Sequence, residues 1–252
     1  MKLETQCLHA GYSPESTTNS CAVPLYKTSS FVFNNTEHAA NLFGLRELGN
    51  IYTRLMNPTT DVLEQRVAAL EGGAAALGIA SGTSAVFYSI INLAQEGDEI
   101  ISANNLYGGT YTQFNDILPK FGIKVKFVDP NNPADFAAAI TDKTKALFCE
   151  SVSNPGLDVA DIKAIANVAD DHGIPLIVDS TFSTPYLTNP IEHGASIVIH
   201  SLTKWMGGHG NGIGGIVVDS GTFNWKNGNF PLYDNPDNSY HGLRWGHDLP
   251  EP

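Results

Sequence analysis

Cysteine is scarce and poorly placed for any framework: Cys7, Cys21 and Cys149 are the only three in 252 residues. An odd number, widely spaced and with no C-x-x-C pair, excludes a disulfide scaffold. It reads as reduced thiols and sets the expectation of a cytoplasmic protein. Charge is scarce too, and leans to one sign. Charged residues make up 16% of the chain, with 14 Lys and Arg against 26 Asp and Glu, a net charge of −12 and a pI near 4.9. Phosphate backbones and anionic lipid surfaces attract basic faces, so neither nucleic acid nor membrane is an expected partner. One or two arginines and a few backbone N–H groups would still suffice for a single phosphate. No window approaches the ~18 apolar residues of a membrane span, and MKLETQCLHAGYS has no apolar core of signal-peptide length. The eight histidines follow no H-E-x-x-H or other ligand spacing, so no metal is expected. The absence of G-x-x-x-x-G-K-[ST] argues against a nucleoside triphosphatase.

What is present is a hydrophobic content of 42%, enough for one large α/β domain or a domain with a small appendage. Residues 1–60 read as a loop-rich, extended arm broken by Pro14, Pro24 and Pro58, with YKTSSFVF (26–33) the only strand-like run. A long irregular arm serves a site or wraps a neighbouring subunit. Within it Tyr52 and Arg54 stand two apart, on one side of an extended chain, and a phenol beside a guanidinium suits a phosphate.

From residue 61 the pattern alternates. DVLEQRVAALEGG places Leu63, Val67 and Leu70 at helical spacing and stops at Gly72 and Gly73. AALGIA reads as a short buried strand, and the helix after it carries Val86, Ile90 and Leu93 on one face. EIIS, IKVKFVD, KALFCE, IPLIVD, IVIH and IVVD read as further strands. YGGTYTQFNDILPKFG, PADFAAAI and VADIKAIANVADDHG read as helices, the last with Ile162, Ile165 and Ala169 inside. Alternation of this kind gives an α/β fold with a largely parallel sheet. No regular element is expected after Ser220, where Asn, Gly, Pro and aromatics dominate.

Two apolar runs end abruptly in residues a core rejects: IPLIV stops at Asp179, and IVI runs into His200, Ser201, Thr203 and Lys204. The carboxyl ends of parallel strands face a shared crevice where α/β proteins bind ligands. GIASGTSAVF is strand, small-residue turn and helix, so Ser81, Gly82, Thr83 and Ser84 sit where free N–H groups favour an anion. Gly210, Gly212 and Gly215 satisfy G-x-G-x-x-G but lead into a strand rather than a helix, which rejects dinucleotide binding there. Pyridoxal phosphate (PLP) needs a Schiff-base lysine, a carboxylate for its pyridinium nitrogen and an anion site. Lys204, Asp179 and Ser81-Gly82-Thr83 provide all three, with Ser201 and Thr203 offering hydroxyls to the same phosphate. The alternative is an ion pair between Asp179 and Lys204 at the sheet rim, which leaves the glycine and the hydroxyls as coincidences.

Taken together LHAGY, AVPLYKTSSFVF, YTRLMNPT, ASGTSA, LYGGTY, ESVSNP, IVDSTF and HSLTK span nearly the whole chain. In that order they resemble the Cys/Met-metabolism family of PLP-dependent enzymes, and TKWMGGHGNGIGGIVVD and FPLYDNPDNSYHG are similar to its O-acetylhomoserine sulfhydrylase branch. The resemblance implies an aspartate-aminotransferase-like fold (fold type I) with a mostly parallel seven-stranded sheet in residues 61–252. It implies that Lys204 bears PLP, that Asp179 pairs with the ring nitrogen, and that Tyr107 stacks on the ring and assists proton transfer. Gly82, Thr83, Ser201 and Thr203 would hold the phosphate, Asn154 would lie near the ring oxygen or the substrate carboxylate, and Thr181 against the ring. Tyr52 and Arg54 would reach the phosphate of a neighbouring subunit, so self-association as a dimer or tetramer is expected. The implied reaction is γ-replacement: O-acetyl-L-homoserine and sulfide, or another thiol, give homocysteine and acetate in methionine and cysteine biosynthesis. A cystathionine synthase or a γ-lyase would differ little at the ring. Family members carry a further C-terminal domain with an arginine for the substrate carboxylate, and Arg244 does not match that motif. The chain is therefore expected to lack the small domain and, by itself, to bind amino-acid substrate poorly.

Overall fold

Seven apolar runs pair into one sheet: β1 (Ala75–Ile79), β2 (Glu99–Ala103), β3 (Lys124–Val128), β4 (Thr144–Glu150), β5 (Leu176–Asp179), β6 (Ile197–His200) and β7 (Gly215–Asp219). Their spatial order is β1-β7-β6-β5-β4-β2-β3. The pairs β2–β3, β2–β4, β4–β5 and β5–β6 are parallel, whereas β7 runs antiparallel to both β6 and β1. This computed structural model describes residues 1–249, in two units, Met1–Leu70 and Glu71–Pro252.

The centre of the sheet is the core of the second unit. Ile100, Ile101, Leu147, Phe148, Leu176, Ile177, Val178, Val198 and Ile199 are shut off from solvent, and burying such a side chain contributes about 1.5–3 kcal/mol. Helices cross between the parallel strands. α4 (Gly82–Ile91) packs on β1, β6 and β7, α6 (Pro133–Ala139) on β2 and β3, and α7 (Ile162–Asp171) on β4 and β5. Val86, Ile90 and Leu93, and likewise Ile162, Ile165 and Ala169, are buried where helical periodicity places them. The helix expected after Tyr107 is a composite: α5 (Gly108–Thr112), a π-helical turn Gln113–Ile117 and a 3₁₀ turn Leu118–Phe121, closed by Gly122 in the left-handed region. A short α8 (Thr184–Leu187) follows β5, and α9 (Pro231–Asp234) lies near the end.

Several expectations are corrected. β1 is an edge strand rather than a buried one, with Leu77 57% exposed; an edge strand and a central one can share the same apolar letters. The stretch after Ser220 is not devoid of regular structure. Besides α9, a 3₁₀ turn spans Asn238–Tyr240, and Phe223, Trp225, Phe230 and Tyr233 form an aromatic cluster with Trp225 and Tyr233 stacked at 5.1 Å. His200, expected to be rejected by the core, is wholly buried: its Nε2 lies 2.5 Å from Oε1 of the equally buried Glu71.

The first unit holds α1 (Leu3–His9), α2 (Thr36–Phe43) and α3 (Pro58–Glu71), the last ending in the second unit's first residue. The arm thus contains two helices where none was expected. Asn35 caps α2 by accepting from the His38 N–H at 2.8 Å, the local signal that periodicity over so short a run does not supply. YKTSSFVF forms no strand; its ladder is the single antiparallel bridge Ser30–Tyr52. In α3 the buried face carries Val62 and Val67, while Leu63 is 40% exposed.

Candidate active site

The site lies where β4, β5 and β6 end. Asp179 is the last residue of β5 and Glu150 the last of β4, and the two stand opposite each other in register. Burial pushes the Asp179 carboxyl up, against the Thr181 bonds and the field of His200, which lower it. The Thr181 N–H donates to Asp179 Oδ1 at 3.0 Å, and the Thr181 hydroxyl oxygen accepts from the Ser201 N–H at 2.8 Å. That pair of bonds ties the end of β5 to the turn that follows β6.

The turn carries Lys204. Its backbone N–H donates to Ser201 O at 3.1 Å and its carbonyl accepts from the Gly208 N–H at 2.9 Å, which fixes the backbone while the side chain stays exposed. No ion pair joins Lys204 to Asp179 among the described residues, nor does either pair with another charged side chain. The rim salt bridge is therefore not formed.

Facing this turn is the start of α4. Ser81 is its N-cap and accepts from the Ser84 N–H at 3.0 Å, so its oxygen serves the helix. The N–H groups of Gly82 and Thr83, in the first turn, have no intrahelical acceptor. Gly82 is required by a close approach: a Cβ there would stand 2.5 Å from Ser201 Cβ and 2.8 Å from Ser201 Oγ. Gly215 closes the same corner, since a Cβ on it would strike the Ser81 carbonyl. Thr203 differs from the others. Its hydroxyl donates to Gly214 O and accepts from the Gly214 N–H, both at 3.2 Å, so it holds the strand entering β7.

On the other side of Asp179, Glu150 accepts from the backbone N–H of Tyr107 at 2.7 Å and of Asn154 at 3.1 Å. Burial lifts its carboxyl to about 8; the Tyr107 bond pulls it down and the neighbouring Asp179 pushes it further up. The buried Cys149 thiol beside them is pushed up to about 12, by burial and then by the two carboxylates, and stays neutral. Tyr107 opens α5 and is 48% exposed, with its ring beside Gly109, where an added Cβ would stand 2.6 Å from ring Cε1.

The structure thus links Gly82, Ser201, Thr181, Asp179, Glu150, Tyr107 and Asn154 in one connected rim, with Lys204 standing on it. Tyr52 and Arg54 belong to the first unit. They lie at a turn rather than in an extended run, Leu55 and Met56 both donating to Tyr52 O, and they still meet: the guanidinium lies 5.2 Å from the phenol centroid. Two contributors were not assigned roles from the sequence. Glu150 carries the signal that marked Asp179, an apolar strand ending in a carboxylate. The Glu71–His200 pair joins residues 129 positions apart and leaves no local signal.

The donor set fits PLP. A glycine-opened helix start with free N–H groups suits a phosphate, a half-buried carboxylate without a protein cation suits a protonated ring nitrogen, and an unpaired amine suits the aldehyde. Among the described residues no group of three His, Cys, Asp or Glu could hold a metal ion, and no helix is long and apolar enough to cross a membrane.

Comparison with known proteins agrees. The chain is 57% identical over 97% of its length to an O-acetyl-L-homoserine sulfhydrylase of Leptospira meyeri, and 53% identical over 95% to a homocysteine synthase of Schizosaccharomyces pombe. It spans 55% and 57% of those two proteins, about half the length of the curated relatives it matches. A crystal structure from Campylobacter jejuni, named for O-acetylhomoserine (thiol)-lyase and holding N'-pyridoxyl-lysine-5'-monophosphate, superposes with a TM-score of 0.96 at 41% identity, over 99% of this chain and 62% of that one. Residues 4–235 match the model of the Cys/Met metabolism PLP-dependent enzymes, and with these relatives the chain belongs to that family.

Proposed function

We propose that the chain is the cofactor-bearing part of an enzyme that replaces the acetate of O-acetyl-L-homoserine with sulfide, giving L-homocysteine. The observation that carries the reading is the connected rim, in which the unpaired Lys204 amine and the half-buried Asp179 carboxylate stand on adjoining segments joined through Ser201 and Thr181. The choice of substrate rests on the sulfhydrylase and homocysteine synthase relatives.

When bound, PLP supplies an electron sink for the pair left when Cα loses its proton. The residues of the chain do the rest. Lys204 Nζ would anchor the cofactor, take the Cα proton, remove a Cβ proton so that acetate can depart from Cγ, and return protons to Cβ and Cα once sulfide has added at Cγ. Asp179 stays ionised against a cationic ring nitrogen, which offsets the burial that otherwise favours its neutral form. The Gly82 and Thr83 N–H groups and the Ser201 hydroxyl grip the phosphate, with Ser81 holding the helix start in place. Thr203 reaches that phosphate by exchanging its bond to Gly214. Tyr107 would stack on the ring, Thr181 would lie against it, and Asn154 would lie near the ring oxygen or the substrate carboxylate. Tyr52 and Arg54 serve the phosphate of a neighbouring copy, in a cytoplasmic dimer or tetramer.

The test is an assay of the PLP-loaded chain with O-acetylhomoserine and sulfide, following homocysteine and ketoacid together. Homocysteine as the main product supports the reading. Dominant ketoacid release overturns it in favour of a γ-lyase, and PLP uptake without turnover of any amino acid overturns it in favour of a cofactor-binding scaffold.

A further inference from the structure

Glu150 has no assigned role, yet it joins two segments of the rim. It is 7% exposed, stands in register with Asp179, and spends both carboxylate oxygens on backbone rather than on ligand or side chain. Oε1 takes the Tyr107 N–H at 2.7 Å and Oε2 takes the Asn154 N–H at 3.1 Å. These two donors lie on two separate segments: Tyr107 opens the turn into α5, and Asn154 sits in the loop that leaves β4. The loop is further tied at its base, where the Ser153 and Leu157 N–H groups donate to Asp158 O and Ser153 O. The Tyr107 segment is tied further upstream, where the Asn104 N–H donates to Val128 O at 3.0 Å and the Asn105 side-chain amide donates to Asp158 Oδ2 at 3.2 Å. Tyr107 is the N-cap of α5 but makes no side-chain capping bond, so its own N–H to Glu150 is the fastening at that point.

We propose that Glu150 is a positioning residue that clamps the Tyr107 and Asn154 segments to the carboxyl end of the sheet and so fixes where the Tyr107 ring meets the cofactor. It touches neither the reacting atoms nor the ring. A carboxyl group is suited to the task because its two oxygens can each accept from a separate N–H group, Oε1 from Tyr107 and Oε2 from Asn154. An amide in its place offers one acceptor and presents an NH₂ to the second donor, so one of the two segments is released.

This inference rests on the PLP reading only for its link to the cofactor; the clamp itself is measurable without it. In the full chain without PLP, Glu150→Gln is expected to speed amide hydrogen exchange at Tyr107 or Asn154 at least about tenfold (1.4 kcal/mol) while leaving Leu147 and Phe148 in β4 unchanged. With PLP, the same variant is expected to raise the dissociation constant about tenfold and to alter the visible circular dichroism of the bound cofactor. In a Tyr107→Ala background the further effect of Glu150→Gln on PLP affinity shrinks to less than about twofold, because the residue acts through Tyr107. If Glu150→Ala fails to fold, the near-isosteric Gln variant still decides. Unchanged exchange at both amides overturns the clamp, and an undiminished effect in the Tyr107→Ala background overturns its action through Tyr107. A wild-type chain that takes up no PLP sinks the cofactor reading instead, and leaves the exchange measurement standing.

Discussion

The two ends of the sheet treat their carboxylates in opposite ways. Where β2 begins, Glu99 meets Lys126 Nζ at 2.7 Å and accepts from the Thr141 hydroxyl at 2.8 Å; the bond to Lys126 holds its carboxyl below the usual range against the pull of burial. Where β4 and β5 end, Glu150 and Asp179 stand side by side, no lysine or arginine pairs with either among the described residues, and burial pushes both carboxyls up. The first end is closed on itself and serves the fold. The second keeps two carboxylates in an environment that disfavours their charge, an arrangement that costs stability and makes sense at a site built for a cationic group.

Substituting Asp179 by Asn breaks the contrast most sharply. It keeps the shape, removes the charge that a ring nitrogen would need, and is expected to weaken PLP binding about a hundredfold. The melting temperature should hold or rise at neutral pH, because a disfavoured buried charge is gone; calorimetry and a PLP titration on one sample read both effects. A fall in both would mark Asp179 as a fold residue like Glu99.

Gly82→Ala comes next. The added Cβ meets Ser201 Cβ at 2.5 Å, and overpacking of this kind costs about 1–3 kcal/mol. Chemical denaturation should register it, with PLP affinity falling alongside because the phosphate corner opens.

The pH response separates the two ends without mutation. Between the ordinary carboxylate value of 4.5 and about 8, the folded chain keeps a proton on Glu150 that the unfolded chain has released. Stability from this group is complete below 4.5 and is lost as pH rises through 8, at up to about 1.4 kcal/mol per pH unit inside the window. Asp179, also raised, adds in the same sense. Glu150→Gln should flatten that decline, and an unaltered slope would contradict its assignment.

Glu99→Gln gives the smallest effect. Lys126 is 37% exposed, so solvent weakens the pair and about 1 kcal/mol is expected at neutral pH. The sign is reversed relative to Glu150: the depressed carboxyl of Glu99 stabilises above the ordinary range and loses that contribution as acid protonates it. PLP affinity should not move.

The parts of the fold legible in the sequence were those written in one window. α4 and α7 announce their buried faces by spacing, and β5 and β6 announce the rim by ending in Asp179 and just before Ser201 and Lys204. Partnership across the chain was illegible. The position of β1 at the edge depends on β7, which comes more than a hundred residues later, and the Glu71–His200 pair joins two residues of the second unit that lie 129 positions apart. Glu150 lay between these cases. Its residue type and place at a strand end were visible, but its partners are backbone groups, one of them 43 residues away, and backbone donors carry no letter in a sequence. Thr203 was placed correctly at the turn, whereas its bond to Gly214 follows from the return of the chain into β7.

The central claim is that the carboxyl end of the sheet holds PLP through Lys204. Borohydride reduction of the PLP-loaded chain, followed by peptide mapping, tests it directly. The pyridoxyl adduct is expected on the peptide containing Lys204, with colour and adduct both absent from Lys204→Ala. A colourless wild-type chain, or an adduct on another lysine such as Lys126, would contradict the account.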